Sequence, residues 1–204
     1  MRGAMSSTAL TRLSDRHRRL LLDLARTTIR LRLAGRAPDP PGESEDPALR
    51  EPAGCFVSLH ELDTHRLRGC VGKLDAREPI LRAVQDAAAS VLDDPRFTQD
   101  PVTPDELGRL EIELTILSPL RAVESPSDFE PSSHGIYLTL AGRGGCFLPQ
   151  VARETGWSRE QLLERLCTEK LGMPPTAWKH PEAKLSVFDT EIVGPEAFVS
   201  SIEC

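Results

Sequence analysis

Hydrophobic residues recur along this chain with two different periods, which predict helices in some segments and strands in others. Over residues 15–33 the period is helical, and Ser14 can cap the first turn. We expect the inner stripe of this helix to consist of Leu20, Leu21, Leu24, Thr28 and Leu31. Over residues 110–118 the period is two, because aliphatic residues alternate with two glutamates and a threonine. This alternation predicts a strand with one apolar face and one solvated face.

The remaining patterns complete the order of predicted elements. Two strands at residues 55–60 and 66–74, joined by a polar turn, precede a helix that begins at Pro79. Later elements are a capped turn at Thr103, a hairpin over residues 134–150 that turns on Gly142, Gly144 and Gly145, a helix from Ser158 to Gly172, and a strand over residues 183–193. Residues 37–54 are rich in proline and acids and predict an exposed connector. Helices and strands do not alternate regularly, so the order predicts an α+β fold.

Composition narrows the class of protein. Of the 204 residues, 39% are hydrophobic and 27% are charged. No apolar run reaches the ~20 residues that cross a bilayer, so we expect no membrane association. The five cysteines are scattered and odd in number, which is typical of reduced thiols in an intracellular protein. We therefore expect a cytoplasmic location.

Charge is distributed unevenly along the chain. Residues 1–36 hold nine arginines and two aspartates, a charge of about +7, although the whole chain carries −6. The rest of the chain is therefore acidic, which argues against nucleic acid as a partner because such binding depends on neutralising phosphates. An arginine-rich start can imitate an organelle transit peptide, but it also suits a helix that packs against an acidic body.

The stretch LRGCVGKL, residues 67–74, carries the most distinctive candidate chemistry. Alternation along the strand places Arg68 and Cys70 on one face. In the preceding strand, Ser58 and His60 alternate with apolar residues. If the apolar sets face the core, these four side chains gather on the opposite, open surface. A guanidinium beside a thiol would favour the thiolate, and a nearby imidazole can act as its base.

Each candidate residue also has a structural explanation. Cys70 can be a small buried hydrophobe. Gly69 and Gly72 can let a ligand or another backbone approach closely, or they can mark a β-bulge. His134 can face a cleft or simply begin a strand, and Glu113 can belong to an acid pair or lie on a solvated face. No spacing of histidines, cysteines or carboxylates matches a metal site, and the sequence assigns no cofactor.

Several blocks of the sequence, in this order and spacing, resemble the AMMECR-domain family. They are FVSLH…LRGCVG, DDPRF, VTPDEL, LEIELTILSP, HGIYL and CFLPQV. Prokaryotic members of this family are called AmmeMemoRadiSam system protein A. The resemblance covers about residues 17–193, nearly the whole chain.

The resemblance implies a single α+β domain of two unequal lobes, with a β-sheet core, flanking helices and a cleft between the lobes near the LRGCVG strand. We expect residues 14–194 to form this domain, with a disordered N-terminus at residues 1–13 and a C-terminal tail at residues 195–204. The family motifs fall here on residues 67–72, 94–97 and 149–150, which include Arg68, Cys70 and Asp94. We expect the ligand-binding residues to be Arg68, Gly69, Gly72, Arg96, Glu113 and Gln150. The resemblance also implies a Memo-like protein and a radical S-adenosylmethionine enzyme as partners, but it supplies no established reaction.

Two functions therefore stay open. In the first, the protein is an enzyme or an enzyme subunit: Arg68 orients a small anionic ligand, Cys70 acts as nucleophile or covalent holder, and His134 or His60 moves protons. In the second, the protein is a binding or scaffold module for the partners named above. Its motif arginines then form ion pairs with acids such as Glu113, and the cysteine contributes only packing.

Overall fold

The structure, a computed structural model, describes residues 12–199. Its α-helices are α1 (Asp15–Leu33), α2 (Pro47–Arg50), α3 (Ile80–Ser90), α4 (Pro149–Thr155) and α5 (Arg159–Arg165). Its strands are β1 (Gly54–Glu61), β2 (Leu67–Lys73), β3 (Leu110–Leu117), β4 (Arg121–Val123), β5 (Gly135–Leu140), β6 (Arg143–Phe147), β7 (Lys184–Phe188) and β8 (Thr190–Ala197). Short 3-10 helices span Val91–Asp93, Pro95–Phe97, Pro104–Arg109, Pro126–Asp128 and Pro175–Lys179, and a π-helix spans Leu166–Leu171. The disorder predicted for residues 1–13 falls, for residues 1–11, outside the described residues.

Two four-stranded sheets and their helices confirm the α+β prediction. One sheet has the strand order β2-β1-β3-β8, and the other has the order β4-β7-β5-β6. The described chain divides into a first unit, residues 12–117 with 191–199, and a second unit, residues 118–190. Within residues 12–199, no helix is both long and apolar enough to span a membrane.

The core of the first unit forms where α1 and α3 pack against its sheet. α3 contacts β1 and β2, and α1 contacts α3 and β3. The largely or fully buried aliphatic residues of this unit include Leu21, Ile29, Val57, Leu59, Val84, Leu110, Ile112, Leu114 and Ile116. The apolar alternation of residues 110–118 thus supplies one face of a buried strand, as the sequence predicts.

α1 begins and ends where its pattern predicts, but its buried face is rotated from the predicted stripe. Ser14 closes a capping box at its start. Leu20 is 40% exposed, so its place in the inner stripe is wrong. The buried residues of α1 are Leu21, Leu22, Ala25, Arg26, Thr28 and Ile29. The rotation is tolerated because the Arg26 guanidinium stays hydrogen-bonded, to Glu196 at 3.1 Å and to the Ala197 carbonyl at 2.8 Å.

The second unit contains the hairpin predicted over residues 134–150, as β5 and β6. Only Gly142 of the three predicted glycines lies in its turn, where Ala141 and Gly142 have φ values of 51° and 75°. These left-handed values suit a two-residue hairpin turn. The core of this unit consists of Phe129, Ile136, Leu138, Leu140, Phe147, Ala152, Leu162, Leu163, Leu166, Cys167, Leu171 and Val187.

The last predicted strand, residues 183–193, is two strands in two different sheets. β7 pairs with β4 and β5, whereas β8 lies beside β3. Asp189 separates them: its carbonyl accepts the Ser118 N–H at 3.0 Å, and its own N–H donates to the Ser118 hydroxyl at 2.9 Å. The prediction of one strand is wrong because apolar alternation does not detect a change of pairing partner.

β8 extends past residue 194, the predicted end of the domain. It continues to Ala197, and the next residue, Phe198, is fully buried. The Phe198 N–H donates to the Leu110 carbonyl at 2.7 Å. At the other end of the chain, Leu13 is buried as well. Both segments therefore contribute to the core of the first unit.

Replacing Phe198 with alanine should lower the free energy of unfolding by ~3–5 kcal/mol, because a fully buried aromatic ring is removed. Val199→Ala is the matched control, since Val199 is 39% exposed and should change stability by no more than ~0.5 kcal/mol. Urea denaturation of both variants measures the difference. Equally small effects would contradict the place of Phe198 in the core.

Candidate functional site

The two ladders of β1 bring polar side chains from three strands into rows on one face of the sheet. Ser58 pairs with Cys70 of β2 on one side and with Glu113 of β3 on the other. Residues paired across antiparallel strands point to the same face. One flanking row contains the pair His60 and Glu111, and the other contains Phe56 and Thr115. The polar residues of the three rows form what we call the polar face: Ser58, His60, Cys70, Glu111, Glu113 and Thr115.

Cys70 and Ser58 are the closest pair in the central row. Cys70 directs both main-chain groups away from β1: its N–H donates to Asp94 at 2.9 Å, and its carbonyl accepts from Arg96 at 3.1 Å. In an antiparallel ladder, residues with outward main-chain groups form the non-hydrogen-bonded pairs, whose Cα atoms are ~4.5 Å apart. The thiol and the hydroxyl therefore lie side by side, with His60 as their diagonal neighbour.

Asp94 ties the DDPRF block to this strand. Its side chain is 2% exposed. Besides the Cys70 N–H, it accepts the Arg96 N–H at 3.0 Å and two hydrogen bonds from the Arg96 guanidinium, at 2.7 and 3.0 Å. These bonds, those of the guanidinium first, hold the pKa of Asp94 well below its usual range despite its burial. We call Asp94 and Arg96 the edge clamp, because β2 is an outer strand of its sheet.

The guanidinium beside the thiol is that of Arg96. Its side chain is 56% exposed. Its Nε and Nη2 bond to Asp94 and Cys70, whereas Nη1 makes no hydrogen bond to another residue within 12–199. The pKa of Arg96 is raised, first by its hydrogen bonds to Asp94 and to a smaller degree by the neighbouring Cys70 side chain. Arg96 can therefore hold an anionic group next to Cys70 while it stays paired with Asp94.

The prediction that Arg68 lies on an open surface is wrong. A β-bulge opposite the step from Leu59 to His60 leaves Arg68 without a partner in register, and its side chain is 1% exposed. Its Nη1 donates to Asp100 at 2.8 Å, and its Nη2 donates to Glu106 at 3.0 Å. Because both terminal nitrogens are paired with carboxylates, this guanidinium holds the protein together and does not orient a ligand.

Gly69 and Gly72 let another part of the backbone come close, which is one of the alternatives that the sequence leaves open. A Cβ at Gly72 would lie 2.1 Å from the Cys55 carbonyl oxygen and 2.5 Å from the Phe56 Cα. A Cβ at Gly69 would lie 2.9 Å from the Val91 carbonyl oxygen. The glycines of the LRGCVG motif are therefore explained by the packing of β2 against β1 and the end of α3.

Burial changes the protonation of the polar face. It raises the pKa of Glu113, and the charge of Glu111 raises it further. Burial also lowers the pKa of His60, an effect that Glu111 opposes and His65 reinforces. Glu111 and Thr115 are 9% and 4% exposed, so the solvated face predicted for this strand is wrong. Burial therefore disfavours the charged form of both the Glu113 carboxyl and the His60 imidazole.

Four side chains of the polar face have no hydrogen-bond partner among residues 12–199. Ser58, His60, Glu113 and Thr115 make no hydrogen bond to any other residue that the structure describes. Ser58 and Thr115 are nevertheless buried, and the other two are half-buried. Because buried polar groups are nearly always hydrogen-bonded to protein or water, these four side chains are available to a ligand or to solvent.

His134 and Gln150 belong to the second unit. His134 accepts the Glu130 N–H at Nδ1, at 3.0 Å, and its Nε2 lies 3.9 Å from Asp189. Gln150 lies in the first turn of α4, and its Oε1 is buried without a hydrogen-bond partner among the described residues. Their roles in proton transfer and ligand binding stay predictions.

Cys70 differs from the other described thiols in its surroundings. Cys55 and Cys167 are buried, and Cys146 lies on β6. Burial raises the pKa of all three of these thiols, which lowers their reactivity. Cys70 is half-buried and has a guanidinium beside it, so it is the described thiol best placed to react.

Asp94 is the residue of the site that residue-by-residue sequence reasoning missed. Next to Asp93 it has the pattern of a helix end, and Pro95 after it supports that interpretation. Its bond to Cys70 joins residues 24 positions apart, which no local pattern reveals. Only the family resemblance places Asp94 in a motif, through the DDPRF block.

Comparison with known proteins gives a consistent family. The AMMECR1 family model matches residues 22–193. A protein of Thermococcus gammatolerans is 34% identical over 91% of this chain and 93% of its own length, and protein TV1384 of Thermoplasma volcanium is 36% identical over 76% and 78%. The crystal structure of the uncharacterized protein PH0010 from Pyrococcus horikoshii is similar with a TM-score of 0.77 and 32% identity, over 88% of this chain and 92% of that one. The names of these relatives state no activity.

Replacing Gly72 with alanine should destabilise the protein by about 3 kcal/mol, because the added methyl group would overlap the Cys55 carbonyl. Gly108→Ala is the control, since nothing lies within 4 Å of a Cβ there, and it should change stability by less than ~1 kcal/mol. Denaturant unfolding measures both. A Gly72→Ala protein as stable as the wild type would show that β1 and β2 do not approach as closely as described.

Glu113→Gln should stabilise the protein more at pH 7 than at pH 4. Because the pKa of Glu113 is raised, the folded protein holds this proton more tightly than the unfolded chain, and stability is lost as the pH rises through the shifted pKa. Glutamine is uncharged at both pH values and removes that loss. The free energy of unfolding at each pH measures the effect, with Glu124→Gln at an exposed position as control. A difference that does not grow between pH 4 and pH 7 would contradict the burial of Glu113.

Proposed function

The chain belongs to the AMMECR1 family, and from this premise we propose that it binds a small molecule at the polar face and acts on it as an enzyme or an enzyme subunit. The ligand lies beside Cys70 and carries an anionic group. The proposed partners are a Memo-like protein and a radical S-adenosylmethionine enzyme, as the resemblance of the LRGCVG and DDPRF blocks implies.

The observation that carries this proposal is the set of four unpartnered polar side chains around a thiol. The opposite face of the same strands is aliphatic and buried, with Val57, Leu59 and Leu114 fully covered. If the polar face served only for packing, we would expect its side chains to be aliphatic as well. None of the polar atoms of the four unpartnered side chains is among the fully buried, unpaired atoms of residues 12–199, so solvent reaches them and a ligand can form hydrogen bonds with them.

Arg96 takes the ligand-orienting role that the strand pattern predicts for Arg68. Arg68 is neutralised by Asp100 and Glu106, whereas Arg96 is exposed, adjoins Cys70 and has Nη1 available. A carboxylate or phosphate of the ligand would accept a hydrogen bond from this nitrogen. The ligand would then lie with its reactive part over the row of Ser58, Cys70 and Glu113.

The chemistry that suits this row is addition of the thiol to an electrophilic carbonyl carbon. The Cys70 sulfur forms a bond to the carbon, and the carbon–oxygen π bond breaks. His60, whose lowered pKa favours the neutral ring, accepts the proton of the thiol. Glu113, whose pKa is raised by burial and by Glu111, gives a proton to the carbonyl oxygen from its protonated form.

A second function, a non-catalytic module that docks the same partners, is supported by the ion pairs. Arg68 and Arg96 are both held by carboxylates, as that function expects. Their partners are Asp100, Glu106 and Asp94, and the predicted pairing with Glu113 is wrong. In this alternative the Cys70 thiol contributes only packing.

Iodoacetamide at pH 7 should modify Cys70 at least about tenfold faster than Cys55, Cys146 or Cys167, because desolvation raises the pKa of those three thiols and lowers their thiolate fraction. Arg96→Gln should slow the modification of Cys70, since it removes the positive charge beside the sulfur. Arg66→Gln is the matched control, because Arg66 is an exposed arginine paired with Glu61. Mass spectrometry of the digested protein gives the rate at each cysteine.

Cys70→Ser separates the two functions. The enzymatic function expects this variant to lose substrate turnover while it still co-purifies with the partners. Modification of Cys70 no faster than of the buried thiols, with co-purification that is unaffected by the serine, would reject the enzyme and leave the docking module.

A further inference from the structure

The edge clamp occupies the outer side of β2 at the residue that carries the thiol. An outer strand normally presents free N–H and carbonyl groups that can pair with another chain. At Cys70 both groups are taken, the N–H by Asp94 and the carbonyl by Arg96. Two side chains thus supply the hydrogen bonds that an added strand would supply from its main chain.

Several contacts hold the clamp in this position before any ligand binds. Asp94 accepts the Arg96 N–H and so caps the 3-10 helix Pro95–Phe97. The two side chains form a bidentate ion pair, which fixes the plane of the guanidinium. That guanidinium also lies 5.7 Å from the centre of the Phe97 ring, and the buried Arg68 guanidinium lies 5.9 Å from it. The clamp is therefore part of a packed and charged network.

We propose that Asp94 is a positioning residue for Cys70, and that the edge clamp restricts the site to small molecules approaching the polar face and excludes extended polypeptide segments. This inference rests on the proposed function, because it names the class of ligand for the same site. An extended peptide would bind by adding a strand to the edge of β2, and it would need the two main-chain groups of Cys70 that the clamp occupies. A small molecule needs only the side chains of the polar face.

Amide hydrogen exchange of Cys70 tests the positioning role. Asp94→Asn keeps the shape of the side chain but removes its charge, so exchange at Cys70 should become about 10- to 100-fold faster. Asp93→Asn is the matched control: it is the same substitution one residue earlier, and Asp93 pairs with Arg32 instead. It should leave exchange at Cys70 unchanged.

The Leu114 amide, in the middle of β3, serves as the internal reference for global unfolding. Faster exchange at Cys70 without a matching change at Leu114 would support the clamp. An unchanged rate at Cys70 in Asp94→Asn, or a rise only in proportion to that at Leu114, would overturn the positioning role.

Two alkylating probes test the class of ligand. One is chloroacetamide, and the other is an extended pentapeptide of valine and threonine that carries the same chloroacetyl group. The peptide should modify Cys70 of the wild type at least about tenfold more slowly than chloroacetamide, because the edge of β2 is closed. In the double variant Asp94→Asn with Arg96→Gln this difference should shrink. A peptide that matches chloroacetamide on the wild type would overturn the exclusion of extended segments.

These measurements require no catalytic reaction, so their failure is distinct from failure of the proposed function. If Cys70→Ser retains full turnover, the proposed chemistry is wrong. The rate of amide hydrogen exchange at Cys70 in the Asp94→Asn variant still decides whether the edge clamp acts on Cys70.

Discussion

β1 is hydrogen-bonded to a strand on each side, and the register of these two ladders places every residue of the central row. With β2 on one side and β3 on the other, Ser58 lies between Cys70 and Glu113. A slip of one residue would turn the polar side chains to the face that α1 and α3 cover and would expose the aliphatic ones. The buried aliphatic residues of β1 and β3 prevent such a slip because they fill the core of the first unit. The packing of the core therefore fixes the geometry of the candidate site.

The two arginines near this row illustrate how burial separates a structural charge from a functional one. Arg68 is inaccessible, and both of its terminal nitrogens bond to carboxylates, so loss of either partner would leave a buried charge uncompensated. Arg96 is half exposed and holds Asp94 with one side of its guanidinium, which leaves Nη1 outside the pair. This accessible cation lies next to the polar face, where two hydroxyls, a carboxyl and an imidazole make no hydrogen bond to another residue within 12–199. Such groups remain accessible to a ligand.

Local signals made much of the fold predictable. Capping residues Ser14 and Ser158 mark helix starts that the structure contains, and alternation over residues 110–118 marks the central strand of the first unit. The alternation of polar and apolar residues also predicted that Ser58, His60 and Cys70 share one face, because side chains of neighbouring strands follow the same pleat. It failed for Arg68, because a bulge interrupts the period, and for residues 183–193, because pairing partners change at Asp189. The role of Asp94 depends on a contact between distant segments, which only the folded chain displays.

Disulfide trapping across the central row tests the register most directly. In a Ser58→Cys variant the new thiol and Cys70 should have Cα atoms about 4.5 Å apart, within the range of about 4.4–6.8 Å that a disulfide spans. Mild oxidation should join them, as shown by mass spectrometry of the cross-linked peptides. A Glu113→Cys variant should form no such bond to Cys70, because two strand spacings of about 4.8 Å separate these positions. Failure of the first cross-link, or formation of the second in its place, would contradict the row of Ser58, Cys70 and Glu113 and with it the candidate site.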